Sequence, residues 1–255
     1  IQRIQRETRI WGCLDHPNIL HLLGITFDFG NHMAMVCPWM ESGDLNTYLR
    51  EFKKTLTLSK RLDLVKQYAY TYSIVHSQSV VHGDLTTGNI LISQERAILS
   101  DFGLSTVVAE CQGTSFMSST VGGAVRWAAP ELYEVGIHSE ITPIITKSCD
   151  IYSLGNVMLQ TISGRIPFDH LSTDVLVVME LMKGGHSRRP PETMLTDEFW
   201  DLIMKCWGTD MFSRLDVRSA RALLHECWAA CPPELLTRIL ANADDSGEDD
   251  MVVSG

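Results

Sequence analysis

"VVHGDLTTGNILIS", residues 80–93, is the stretch on which the reading of this chain turns. It sets His82, Asp84 and Asn89 at fixed spacing in an apolar setting and runs straight into the strand-like "NILIS". Two features call for a reason: an aspartate and an asparagine five residues apart, and the small residues Gly83 and Thr86 around Asp84. Upstream, "SKRLDLVKQYAYTYSIVHSQS" has the apolar spacing of a long amphipathic helix, capped by Ser59 and closing before "VVHGDL". Downstream, "NILIS" and "RAILS" read as a short ribbon. Residues 105–125, rich in Ser, Thr and Gly with no firm period, read as a long loop of the kind that usually carries function.

Further out, "LHLLGITFDFG" and "NHMAMVCPWM" read as two strands turning at Gly30-Asn31, preceded by a loosely helical start with Ile4, Ile10 and Trp11. After residue 125 the chain reads as helices: "SCDIYSLGNVMLQTISG", "STDVLVVMELMKGG", "TDEFWDLIMKCW" and "SARALLHECWAACP". The plan is a small strand-bearing start and a larger helical body. No internal repeat is visible.

The 255 residues suffice for one large domain or two lobes. The net charge is −10, of which residues 241–255 carry five acidic groups and no Lys or Arg. No basic stripe offers phosphate neutralisation, so nucleic acid is not an expected partner. No apolar run is long enough to span a bilayer, and the start does not read as a signal peptide. Seven cysteines without a C-x-x-C pair, scattered through apolar segments, suit buried thiols in a reducing compartment. The expected setting is cytoplasmic or nuclear, with no membrane partner.

"HGDLTTGN", "DFG" at 101–103 and "APE" at 129–131 stand in the order and register of the protein-kinase catalytic loop, metal-binding motif and activation-segment end, and on these the chain resembles a protein kinase domain. "HPNILHLLG", "SCDIYSLGNVMLQTISGRIPF" and "KCWGTDMFSRLD" extend the resemblance over about residues 1–230, and "GAVRWAAPEL" looks closest to the tyrosine-kinase and tyrosine-kinase-like branch. The resemblance implies an α+β, two-lobed fold with a partial small lobe. Its expected divisions are a small-lobe remnant and hinge at 1–40, a large lobe at 41–233 and an acidic, disordered tail at 234–255.

It also implies roles. Asp84 would accept or orient the substrate hydroxyl proton, while Asn89 and Asp101 would hold Mg²⁺ for ATP through hard oxygen ligands. Cys37 falls at the gatekeeper, Pro38, Trp39 and Met40 at the adenine-contacting hinge, Asp44 near the ribose and Leu91 beneath the adenine. Trp11, Leu22, Phe102 and His82 would form a stack joining the lobes, anchored by Asp150. Gly103 completes the DFG motif, Glu131 would pair with Arg214, and Glu7 occupies the place of the regulatory-helix glutamate. The implied activity is transfer of the ATP γ-phosphate to Ser or Thr hydroxyls of a protein substrate, Tyr being second. The upstream activator is not written in the sequence.

Several positions depart from the family pattern. Glu7 has no strand lysine upstream, and no two glycines stand two residues apart, so a Gly-rich phosphate loop is absent from the sequence. The chain therefore reads as truncated before the regulatory helix. Thr86, Thr87 and Gly88 supply no positive charge in the catalytic loop, and Ala124 stands where a bridging threonine is common. Gly83 cannot pair with a phosphorylated activation loop, so phosphorylation at Thr114, Ser115, Ser118, Ser119 or Thr120 is not expected to switch activity through that pocket. These departures favour the rival reading, a pseudokinase serving as a scaffold or allosteric module.

Overall fold

A computed structural model describes residues 8–27, 34–102, 106–107, 124–133, 145–191 and 194–240. Residues 8–12 are helical (α1). Strands β1 (Gly24–Thr26) and β2 (Ala34–Val36) follow, then helices α2 (Leu45–Glu51) and α3 (Leu58–Ser77). Next come β3 (Val80–Val81), β4 (Ile90–Ser93), β5 (Arg96–Leu99) and β6 (Thr106–Val107). The chain closes with α4 (Lys147–Ser163), α5 (Asp174–Met182), α6 (Asp197–Cys206), α7 (Val217–Ala230) and the short α8 (Pro233–Leu236). The architecture is α+β: few strands, and a helical body that holds most of the core.

The strands form three antiparallel ribbons among the described residues, pairing β1 with β2, β3 with β6 and β4 with β5. The β4–β5 register sets Ile90 against Leu99 and Ser93 against Arg96, which buries Ile90 and Ile92. The pairing of Val80 and Val81 with Val107 and Thr106 was not expected, because β6 lies in the stretch read as a loop. At two residues long, it leaves no periodic signal to read.

Polar side chains start the helices by accepting the orphan N–H groups of the first turn. Thr57 caps α3, accepting from Lys60 N at 3.4 Å, in place of the expected Ser59. Thr146, Thr173, Thr196 and Asp216 cap α4, α5, α6 and α7 in the same way. Helix α4 ends at Gly164, whose φ of +71° suits glycine. Every residue from Cys149 to Ser163 is buried, because α3 packs on one side of α4 and α6 on another. Gly155 makes the second approach feasible: a Cβ there would lie 2.9 Å from both Cys206 Cβ and Trp207 Nε1.

Two expectations need correction. Residues 234–240, assigned to the acidic tail, belong to the helical body: Leu58 N donates to Arg238 O at 2.9 Å, Ile239 bridges Thr57, and Leu240 packs over Gly164. Apolar Leu235, Leu236 and Leu240 supply the contact; residues 241–255 lie outside the described residues. Nor are the thiols uniformly buried. Cys149, Cys206, Cys227 and Cys231 are, but Cys13 and Cys37 are exposed. Burial pushes the Cys149 and Cys206 thiols up to about 12, so both stay protonated. No described helix is long and apolar enough to cross a membrane.

Candidate active site

The loop between β3 and β4 carries Asp84 and Asn89, and its shape is fixed from outside. Asp150, in the first turn of α4 and 1% exposed, accepts three hydrogen bonds. His82 N donates to its Oδ2 at 2.9 Å, Gly83 N to its Oδ1 at 2.9 Å, and His76 Nε2 lies 2.8 Å from Oδ2. In a low-dielectric interior a carboxylate with three donors is a strong anchor. Gly83 turns at φ +81°, a left-handed conformation that costs a glycine little. The glycine thus has a backbone reason, beside the absence of an arginine.

Inside the loop, Asn89 Nδ2 donates to Asp84 O at 2.7 Å and reaches Asp84 Oδ2 at 3.3 Å. This explains the five-residue interval: the amide closes the turn, and the 3₁₀ turn Thr87–Asn89 brings it round. With Nδ2 committed to Asp84, the Asn89 Oδ1 is the atom left for a cation. Thr86 Oγ1 accepts from Gly88 N at 3.1 Å and so serves the turn. The cavity beside Asp84 is lined by Thr86, Ala124, Ala128, Leu132, Cys149 and Ser153 among others, and among the described residues no Lys, Arg or His contributes to it.

The side chains expected to form a stack meet. The Trp11 ring lies 6.1 Å from Phe102, and Phe102 lies 5.0 Å from His82. Phe102 is fully buried, and Leu22 is partly buried against the core. His82 Nε2 faces Ser100 O at 3.0 Å while Nδ1 accepts from Asp84 N at 3.3 Å, an arrangement that calls for the neutral Nε2–H tautomer. Trp11 Nε1 donates to Leu20 O, tying α1 to the same core. Asp101 follows β5, is exposed, and is held at φ +56°, a conformation that disfavours a side chain and is retained where surroundings impose it.

Farther away, Arg214 Nη1 and Nη2 grip Glu131 Oε1 and Oε2 at 2.7 and 2.8 Å in a two-pronged pair. Burial alone would raise the Glu131 carboxyl; the Arg214 hydrogen bonds and charge outweigh it and leave its pKa below the ordinary value. The Cys149 thiol donates to the same carboxylate at 3.2 Å.

On the other rim, Cys37, Pro38 and Trp39 are exposed, Trp39 at 88%, and Met40 is partly buried against the core. Leu91 also packs against the core and pairs with Ile98. Asp44 caps α2, accepting from Thr47 N at 2.9 Å and Thr47 Oγ1 at 3.0 Å, so both carboxylate oxygens are engaged locally. Glu7, Gly103 and the five activation-segment hydroxyls at 114–120 lie outside the described residues.

The structure adds residues that the sequence did not single out. Gln160 of α4, 2% exposed, accepts from Thr87 Oγ1 at 3.0 Å and Trp127 Nε1 at 3.2 Å, and donates to Asn46 Oδ1 at 2.9 Å. One buried amide thus joins the catalytic loop, the end of the activation segment and α2. Arg126 donates to the carbonyls of Pro167, Phe168 and Leu171, fixing the same segment against the loop before α5. No motif announces Gln160; only its place on α4 does.

For a metal, the donor set is informative. No group of three His, Cys, Asp or Glu side chains suited to a metal exists among the described residues. Asn89 Oδ1 and the Asp101 carboxylate are hard oxygen donors, and a pair of them suits Mg²⁺, which takes its remaining ligands from water and phosphate. The two residues therefore fit Mg²⁺.

Residues 1–224 match the family model described as protein tyrosine and serine/threonine kinase. The chain is 31% identical over 243 residues to ephrin type-A receptor 1 of Homo sapiens, covering 94% of this chain and 23% of that protein. It is 27% identical over 246 residues to serine/threonine-protein kinase TNNI3K of Mus musculus, covering 94% and 28%. It is 28% identical over 254 residues to serine/threonine-protein kinase tousled-like 2 of Xenopus tropicalis, covering 94% and 34%. The chain spans about a third or less of the length of these relatives.

Proposed function

The chain belongs to the protein tyrosine and serine/threonine kinase family, and on that premise we propose that it carries the phosphoryl-transfer centre of an ATP-dependent kinase acting on Ser or Thr hydroxyls of proteins. The observation that carries the reading is the Asp84–Asn89 couple, closed on itself and hung from Asp150. Phosphoryl transfer asks little covalent chemistry of a protein; it asks for positioning and for compensation of negative charge. Asp84 orients the acceptor hydroxyl and takes its hydrogen bond. Asn89 Oδ1 and Asp101 would hold Mg²⁺, which when bound would offset phosphate charge. Met40 and its neighbours would border the adenine, and Leu91 would lie beneath it. The Trp11–Phe102–His82 stack keeps Asp101 and Asp84 in mutual register.

A second reading, a pseudokinase that acts as a scaffold, is favoured by a specific observation. Among the described residues the cavity beside Asp84 has no cationic side chain, Thr86 being engaged with Gly88 and Ala124 ending in a methyl group. Losing one charge-compensating group costs on the order of 10²-fold in rate or more. Transfer from γ-labelled ATP to a mixed peptide library, followed by phosphoamino-acid analysis, separates the two. Label on Ser and Thr that vanishes in Asp84→Asn and Asp101→Asn supports the enzyme. Nucleotide-dependent thermal stabilisation without any transfer supports the scaffold.

A further inference from the structure

A cavity of about 380 Å³ lies between α3 and α7, closed on one side by Asn18, and shares no residue with the lining beside Asp84. Its walls are built reciprocally. Lys66 of α3 lies 4.9 Å over the Trp228 ring of α7, and Arg221 of α7 lies 4.7 Å over the Tyr70 ring of α3. Leu224 supplies buried apolar surface between them. Arg221 Nη1 donates to Ser73 Oγ at 2.8 Å, yet among the described residues neither Lys66 nor Arg221 has a carboxylate within 4.0 Å. Asp63 is the single acid in the lining, so Lys66 and Arg221 leave it net positive.

Two cation-on-ring contacts would staple a helix pair without any space between them, since protein interiors pack with few voids larger than water. A space of this size, apolar in the middle with a few convergent polar groups, has instead the dimensions of a small-ligand site. We propose that it binds a planar organic anion, an aromatic carboxylate whose ring lies against Tyr70 and Trp228 and whose carboxylate meets Lys66 and Arg221. The two cations supply the charge complementarity, and the two rings with Leu224 the flat apolar slot.

The site also touches the strand that leads to Asp101. Asn18 Nδ2 donates to Ala97 O at 2.8 Å, and Gln67 Oε1 accepts from Ala97 N at 2.9 Å. Both side chains line the cavity and both hold β5. The binding itself does not depend on phosphoryl transfer, so an inactive chain tests it equally well.

Calorimetric titration of the full chain with 2-naphthoate, beside neutral 2-naphthamide, is the test. The carboxylate is expected to bind at least ~10-fold more tightly than the amide, the difference expected of charge-assisted contacts. The double substitution Lys66→Gln with Arg221→Gln, on an exposed and a half-exposed residue, is expected to erase that difference while the melting temperature stays near the parent's. Leu224→Phe, which fills the slot, is expected to weaken both ligands. Equal affinity for acid and amide, a difference that survives the double substitution, displacement of naphthoate by Mg²⁺-ATP, or no binding at 1 mM would each overturn the proposal.

Discussion

Helix α4 and the β1–β2 ribbon are both rich in apolar side chains, yet they end in opposite environments. Fifteen consecutive residues of α4 are buried, whereas Leu23, Ile25, Phe27 and Val36 of the ribbon region are 60%, 45%, 69% and 42% exposed. The difference is one of partners. Helix α4 has α3 and α6 against it, while the ribbon is two strands wide, a size that is marginal by itself. Stability therefore resides in the helical body, and the catalytic loop is attached to that body through Asp150. The hinge side of the site rests on the weaker part.

The comparison can be broken most sharply at Asp150. Asp150→Ala leaves the buried His82 N–H, the half-buried Gly83 N–H and buried His76 without their acceptor, and urea unfolding should show a loss on the order of 3 kcal/mol. A variant as stable as the parent would mean that the loop is held by something else. Gly155→Val tests the packing of α4 itself: with contacts at 2.9 Å, an overpacking cost of about 1–3 kcal/mol and a lower melting temperature are expected.

Glu131 sharpens the picture through pH. Its folded pKa lies below the ordinary value of 4.5, so the unfolded chain binds the proton more readily. The stabilisation is complete above about 4.5 and is lost as pH falls through the folded value. Glu131→Gln should therefore cost about 1–2 kcal/mol near neutrality and make the acid limb of a stability profile shallower. The smallest effect belongs to the ribbon. Leu23→Thr with Phe27→Ser should change unfolding free energy by no more than about 0.5 kcal/mol, because neither side chain is removed from water.

How much of this was legible in the sequence follows the same division. The Asp84–Asn89 interval and the helical character of α4 were readable because motif spacing and recurring apolar residues are properties of the chain itself. The Trp11–Phe102–His82 contacts were readable through the family resemblance. The φ of Gly83, the buried link through Gln160 and the docking of residues 234–240 were not, since each depends on what a distant segment brings to it. The exposure of Cys37 shows the same limit: an apolar neighbourhood in sequence does not guarantee a cover in space.

The three bonds to Asp150 have a bearing on how such a chain changes over generations. The path of the loop is dictated by main-chain groups meeting a carboxylate sixty-odd residues downstream, with Gly83 supplying the left-handed turn and the Thr86 hydroxyl one local bond to Gly88 N. The charge of the side chain at 86 can therefore change over generations with less consequence for the loop than a change at Asp150 or Gly83. A lineage can thus alter the charge beside Asp84 and still keep the shape of the loop that carries it.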